Sequence, residues 1–127
     1  TLIEVIVALT VFVVGVVSLF PLFSGSLAIL SGVQYGMRGG ELGRSMMSSI
    51  EAEGFRGISA MASDTETGTF PTPDEDYRYT ITRTSRANDI ISGAVVLWQV
   101  DLLVEWSGRG GDQNERFVTY VSRMDPL

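Results

Sequence analysis

Three residue types are missing from this 127-residue chain: there is no cysteine, no histidine and no lysine. Without cysteine there is no disulfide framework, no haem-attachment motif and no thiol chemistry. Losing histidine as well removes both the commonest general base and the commonest covalent nucleophile, so an enzyme is not expected. The nine basic residues are all arginine, against fifteen acidic ones, for a net charge of −6. That balance opposes nucleic-acid binding, which wants a basic face. Charge is also badly distributed. Residues 1–37 carry one charged side chain, Glu4, in a run of apolar and small residues.

A spanning helix needs about 20 apolar residues, so this run is long enough to cross a membrane. Thr1 rather than Met stands first, and no charged n-region precedes a short apolar core. The segment therefore reads as processed or trimmed at its start and retained, not as a signal peptide. Glu4 is the informative residue. An isolated buried charge costs several kcal/mol even after relaxation. The nearest cation in sequence, Arg38, lies roughly 50 Å away along a continuous helix at 1.5 Å per residue. Its partner must come from a chain terminus or from another molecule, and that points to assembly.

These residues carry a resemblance. Thr1-Leu2-Ile3-Glu4-Val5, running into Ile6-Val7-Ala8-Leu9-Thr10-Val11-Phe12, resembles the mature N-terminus of type IV pilins and pseudopilins. In that family a dedicated peptidase cuts before a Phe that is then N-methylated, and a Glu stands fifth; this chain matches if one such residue precedes Thr1. Pro21 stands where many pilins carry a helix-breaking proline. The match covers about 25 residues, and the rest agrees in layout alone. The resemblance implies a subunit that waits in the inner membrane and then polymerises with copies of itself into a helical extracellular filament. Minor pilins and an assembly platform are the further partners implied. The EVIVAL-x-x-F variant is also similar to minor pilins and secretion pseudopilins, which act at a filament tip or as a secretion piston. A single-span membrane protein with a small sensor or binding head is the alternative from another class.

The helix is rich in breakers: Gly15, Gly25, Gly32, Gly36, Gly39, Gly40 and Gly43, each costing up to about 1 kcal/mol against Ala. Pro21 costs about 3 kcal/mol in a helix interior. Two readings stand beside each other: a flexible stalk, or a helix packed closely on copies of itself through Gly32-xxx-Gly36-xxx-Gly40 and Gly39-xxx-Gly43. The packed reading is preferred, with helicity lost near Gly15 to Pro21 on assembly. Thr1, Leu2, Glu4, Gly15, Pro21, Gly32, Gly36 and Gly40 are the candidate assembly residues, and no catalytic, cofactor-binding or metal-binding residue is proposed.

From Arg38 the pattern becomes amphipathic. Leu42, Met46, Met47 and Ile50 form one buried stripe, Glu41–Arg44 is expected as an i, i+3 pair, and Gly54 or Gly57 is expected to end the helix. Residues 57–76 read as an acidic loop in which Pro71 and Pro73 forbid regular structure. Its carboxylates invite a calcium reading, but the spacing fits no EF-hand, and a solvated acidic loop explains such a run better; on an assembly it would supply negative surface charge and intersubunit contacts to Arg. Strands follow. Residues 77–84 (YRYTITRT) put Tyr77, Tyr79 and Ile81 on one face. Residues 93–106 put Val96, Trp98, Val100, Leu102, Val104 and Trp106 on one face, with Gln99, Asp101 and Glu105 opposite. Residues 107–112 are a turn and 116–124 the return strand of a hairpin. The turn lacks the Lys and helix start of a phosphate loop. Asp101 and Glu105 stand roughly 13 Å apart at strand rise, too far for a glycosidase pair.

The expected fold is α+β: one long N-terminal helix, apolar in residues 1–37 and amphipathic in residues 38–54, over a three- to four-stranded antiparallel sheet in residues 77–124. Residues 1–37 form the membrane or filament-core helix, and residues 38–127 the head.

Overall fold

The computed structural model describes residues 1–108 and 110–123. The fold is α+β: helix α1 (Leu2–Ser59) is followed by strands β1 (Thr65–Thr69), β2 (Arg78–Asn88), β3 (Val95–Gly108) and β4 (Gly111–Ser122). The chain divides into two compact units, Thr1–Tyr35 and Gly36–Leu127.

The first unit is helix alone. Three of its hydroxyls are turned back on the backbone: Thr10, Ser18 and Ser26 each donate to the carbonyl four residues earlier, at 2.8, 2.7 and 2.9 Å. Such back-bonding satisfies a hydroxyl without solvent, so these three hydroxyls do not require water. Pro21 is accommodated within the helix, and Gly54 is the single non-helical position in α1. The proline ring fixes φ near −65°, a helical value, and its cost falls on the Val17 carbonyl, which receives no N–H from position 21. The interruption expected between Gly15 and Pro21 is thus absent from the isolated chain, and it remains a statement about the assembled state.

The second unit begins with the rest of α1. Gly54 takes φ 67° and ψ −155°, a left-handed conformation that glycine reaches without steric cost. The helix breaks there and resumes to Ser59. The four strands form an antiparallel meander in the order β1-β2-β3-β4. β3 shows why the sheet lies where it does. Val100, Leu102 and Val104 are fully buried, and Trp106 nearly so, while the residues between them are half-exposed. Cross-strand register aligns Ile81 with Leu102, Tyr79 with Val104 and Trp98 with Val121. The inward set packs with Met47, Ile50 and Ile58 of the helix and with Phe70 and Tyr77. Leu42 and Met46 flank this core half-buried, so the expected apolar stripe is the surface the sheet covers.

Several expectations are corrected. The segment 57–76 is not a loop throughout, because it holds the last turn of α1 and the edge strand β1. β1 escaped notice because TETGT is short and carries no apolar alternation. β2 continues four residues past Thr84, and its register slips between Ser85 and Asn88. The hairpin after β3 is tighter than six residues, since Gly108 pairs with Gly111. Arg109 and Met124, expected at that turn and at the end of the return strand, lie outside the described residues. Arg44 does not pair with Glu41; its Nε donates to the Gly40 carbonyl, and Glu41 is taken by Arg38.

Candidate assembly surface

The expected assembly residues fall into three environments. Thr1, Leu2, Glu4, Gly15 and Gly32 are exposed, Gly36 is half-exposed and Gly40 is buried. In the first unit the apolar side chains point outward without cover. Leu2, Phe12, Phe20, Phe23 and Ile29 are each exposed to between 66% and 78% of their full area. An open furrow of about 340 Å³ runs between Val16, Leu19, Phe20, Phe23, Ser24 and Leu27. By length and composition the helix is able to cross a membrane, with mean hydropathy 2.7 over its best 18-residue window. Monomeric soluble proteins rarely show apolar patches beyond a few hundred Å². This surface requires lipid or protein around it.

Glu4 is the one charge on that surface. Its Oε2 sits 3.4 Å from the Thr1 ammonium, and both groups are more than four-fifths exposed. The contact is long and fully hydrated, of a kind worth about 0–1 kcal/mol. In the single chain, therefore, the Glu4 carboxylate is not sheltered.

The glycines separate by what stands over them. A Cβ placed at Gly15, Gly32 or Gly36 would meet nothing within 4 Å. At Gly39 it would fall 2.6 Å from the Trp106 ring, and at Gly43 2.1 Å from Phe117. Gly40 is closed in by the Arg44 guanidinium and the Glu115 carboxylate, each 3.2 Å from that position. Gly39, Gly40 and Gly43, which the spacing offered for packing between copies, are thus occupied within the chain. They let the sheet approach the helix backbone. Gly15, Gly32 and Gly36 remain open.

Two arginines fasten the head, and neither role was read from the sequence. Arg38 donates from Nε and Nη2 to the two carboxylate oxygens of Asp74, at 2.8 and 2.6 Å, and from Nη1 to Glu41 at 3.0 Å. This fork-on-fork geometry is the strong form of the pair. The hydrogen bonds from Arg38 hold the Asp74 carboxyl below its usual range, and they raise the Arg38 guanidinium in turn. Arg83 donates to the Ile58 and Ser59 carbonyls at 2.6 and 3.2 Å, bridges Asp64 at 3.0 Å and lies 4.8 Å from the centre of the Trp98 ring. A cation there satisfies the orphan carbonyls of a helix end. The signal was present: Arg83 continues the inward alternation of Tyr77, Tyr79 and Ile81, where a charge needs a reason. Asp64 and Asp74 of the acidic segment therefore bind arginines of their own chain, contrary to the intersubunit contacts expected of them. Among the described residues, no three acidic side chains are gathered as a metal site.

No family model, curated protein or solved structure matches this chain.

Proposed function

We propose that this chain is a structural subunit of a type IV pilus-like filament, anchored in the inner membrane before assembly and displayed at the cell surface after it. The observation that carries the reading is the unit Thr1–Tyr35: a helix with its apolar side chains outward, the hydroxyls of Thr10, Ser18 and Ser26 bonded to its own backbone, and a single carboxylate near its start. Lipid can surround such a helix while it waits, and copies of it can surround one another in a fibre. The resemblance of Thr1 to Phe12 to pilin N-termini and the helix-plus-meander head support the same reading. The protein acts by polymerising with copies of itself, without catalysis and without nucleic acid.

In this account the Glu4 carboxylate neutralises the terminal amine of an adjacent subunit, so that two charges entering an apolar bundle cancel. Glu4→Ala should abolish or sharply reduce filament yield while membrane insertion stays intact or improves. Filaments at wild-type yield from that variant would refute the pairing. A second reading, a minor pilin or secretion pseudopilin, is favoured by the EVIVAL-x-x-F variant of the motif. It differs in predicting low abundance and assembly only alongside partner pilins. A monomeric single-span protein would instead be indifferent to Glu4→Ala and monodisperse in detergent.

A further inference from the structure

β1 and β4 are the outer strands of the sheet. In an antiparallel ladder every second residue exchanges both its bonds with the inner neighbour, and the residues between turn theirs to the open side. The Phe70 N–H donates to the Tyr77 carbonyl at 3.1 Å, and the Arg83 N–H to the Asp64 carbonyl at 2.9 Å. The bonded positions of β1 are therefore Glu66 and Gly68, and Thr65, Thr67 and Thr69 face the open edge. The Arg123 N–H donates to the Val96 carbonyl at 2.9 Å. By the same alternation Phe117, Thr119 and Val121 are bonded to β3, and Arg116, Val118, Tyr120 and Ser122 face the open edge. Exposed edges are usually blunted by Lys, Pro or a bulge. Neither outer strand has Lys or Pro, and neither register is broken, whereas that of β2 with β3 slips. On the β4 edge Val118 and Tyr120 are also 48% and 61% exposed.

Open N–H and C=O groups in this rhythm accept an extended strand, and direction selects which strand of the chain fits. In the meander β1 and β3 run one way, β2 and β4 the other. Between copies that point the same way, as subunits of one filament do, β1 of one runs antiparallel to β4 of the next. An antiparallel pair of two β4 strands needs copies pointing opposite ways. Charge then fixes the register. Glu66 lies opposite the buried Ile81, hence on the core-facing side of β1, exposed and without a partner among the described residues. A charge there hinders indiscriminate pairing unless the receiving surface answers it. Beside β4 an open groove of about 460 Å³ is lined by Thr119–Ser122 and by Glu51 and Glu53–Arg56 of α1. Glu51 is held by the Thr119 hydroxyl at 3.1 Å, and Glu53 is folded against Gly57. Arg56 is exposed, with no partner among the described residues. Opposite Val121, Glu66 faces the groove that Arg56 lines. Two residues back along β4 it would stand opposite Thr119, beside the Glu51 carboxylate, and four back opposite Phe117, next to Glu115. In the other direction β1 would run past Ser122, where β4 ends.

We propose that β4 of one copy takes β1 of a second copy as its next strand, with Thr67 opposite Tyr120 and Glu66 opposite Val121 in the groove beside Arg56. The proposal rests on the filament reading and deepens it by naming a contact between heads. Thr65, Thr67 and Thr69 then meet Ser122, Tyr120 and Val118, which covers both exposed apolar side chains and closes about six main-chain hydrogen bonds. Directly opposed residues share a face, so the sheet continues with both helices on one side. Donor and acceptor edges differ, so the contact is heterologous and repeats without closing, which suits a fibre rather than a dimer.

The test exploits the absence of cysteine. Thr67→Cys and Tyr120→Cys are made singly, carried on full-length chains of different mass, assembled together and oxidised. Opposed residues of a bonded pair have Cα atoms about 5.5 Å apart, within disulfide reach. The expected product is a disulfide-linked pair containing one chain of each kind, and the double variant should give a ladder of multimers under denaturing, non-reducing conditions. Microscopy of the same preparations separates the possible failures. Filaments that yield no mixed product, or only Tyr120→Cys self-pairs, overturn the strand contact and leave the filament reading standing. Wild-type preparations with no filaments overturn both. Charge reversal supplies an independent arm. Glu66→Arg on the Thr67→Cys chain, or Arg56→Glu on the Tyr120→Cys chain, should lower the mixed product by about tenfold, and the two reversals together should restore it, with thermal melting of the head unchanged throughout. Unchanged product in either single reversal, or no recovery in the combined one, would overturn the proposal.

Discussion

Gly43→Ala offers a sharp test of the head, because the same substitution should change sign with its neighbour. A Cβ at Gly43 would stand 2.1, 2.5 and 2.9 Å from three atoms of the Phe117 ring, while ordinary contact begins at 3.4 Å. The ring must therefore retreat by 3.4 − 2.1 = 1.3 Å at its closest atom, and β4 holds its backbone in register with β3 at Leu102. Overpacking of this kind costs about 1–3 kcal/mol, and an overlap involving the whole ring edge belongs at the upper end. Alanine recovers about 1 kcal/mol over glycine in a helix interior. The net loss is about 2 kcal/mol, which for a domain this size lowers Tm by about 8–16 °C. In a Phe117→Ala background the obstacle is gone, and Gly43→Ala should instead stabilise by about 1 kcal/mol. Thermal unfolding of the full chain in detergent micelles, followed by tryptophan fluorescence, reads all four variants. Equal effects of Gly43→Ala in the two backgrounds would refute the claim that this glycine exists to admit the ring.

The Arg38–Asp74 fork carries a pH signature. Because folding depresses the Asp74 carboxyl below its ordinary value of 3.8, the pair's contribution is complete above that value and is lost as pH falls through the folded one; the gap in melting temperature between wild type and Asp74→Asn should be open at neutral pH and close in acid, and a gap independent of pH would contradict the pairing. Preformed filaments should resist high salt and dissolve in detergent, since burial of the apolar residues of the first unit at roughly 25 cal/mol per Å² outweighs exposed ion pairs worth about 0–1 kcal/mol. Sedimentation after each treatment decides it, and dissolution by salt alone would remove the helices as the principal glue. Within the filament, residues 15–21 should lose helical hydrogen bonding that the isolated chain retains, because Pro21 already leaves the Val17 carbonyl without its donor; a filament map with unbroken helix from Thr10 to Leu27 would refute this.

What the sequence revealed followed from period and composition. The alternation of Val96 to Trp106 placed β3 to within two residues and its buried face from Val100 to Trp106, Val96 and Trp98 being only half-buried, and the stripe Leu42-Met46-Met47-Ile50 marked where the sheet lies. Both are strong signals because burial acts on every second residue of a strand and on every third or fourth of a helix. β1 was hidden because an edge strand of Thr, Glu and Gly buries little and has no pattern to read. The glycines misled in an instructive way. Small-residue spacing states that something approaches the helix closely, but not what, and Gly39 and Gly43 admit Trp106 and Phe117 of the same chain. The long-range partners of Arg38 and Arg83 were illegible because pairing across 36 and 19 residues depends on the fold. Of the candidate assembly residues, Glu4 was legible as a charge lacking a neighbour, and the structure leaves it exposed beside Thr1.

The central claim is that Thr1–Tyr35 is a polymerisation helix. Electron microscopy of fibres purified from the extracellular fraction, with mass spectrometry of the protein in them, tests it most directly. The account predicts filaments built from this polypeptide with residues 1–35 present and packed at the fibre centre. Recovery of the chain solely as a monomer in the membrane fraction, with no fibre containing it, would contradict the account.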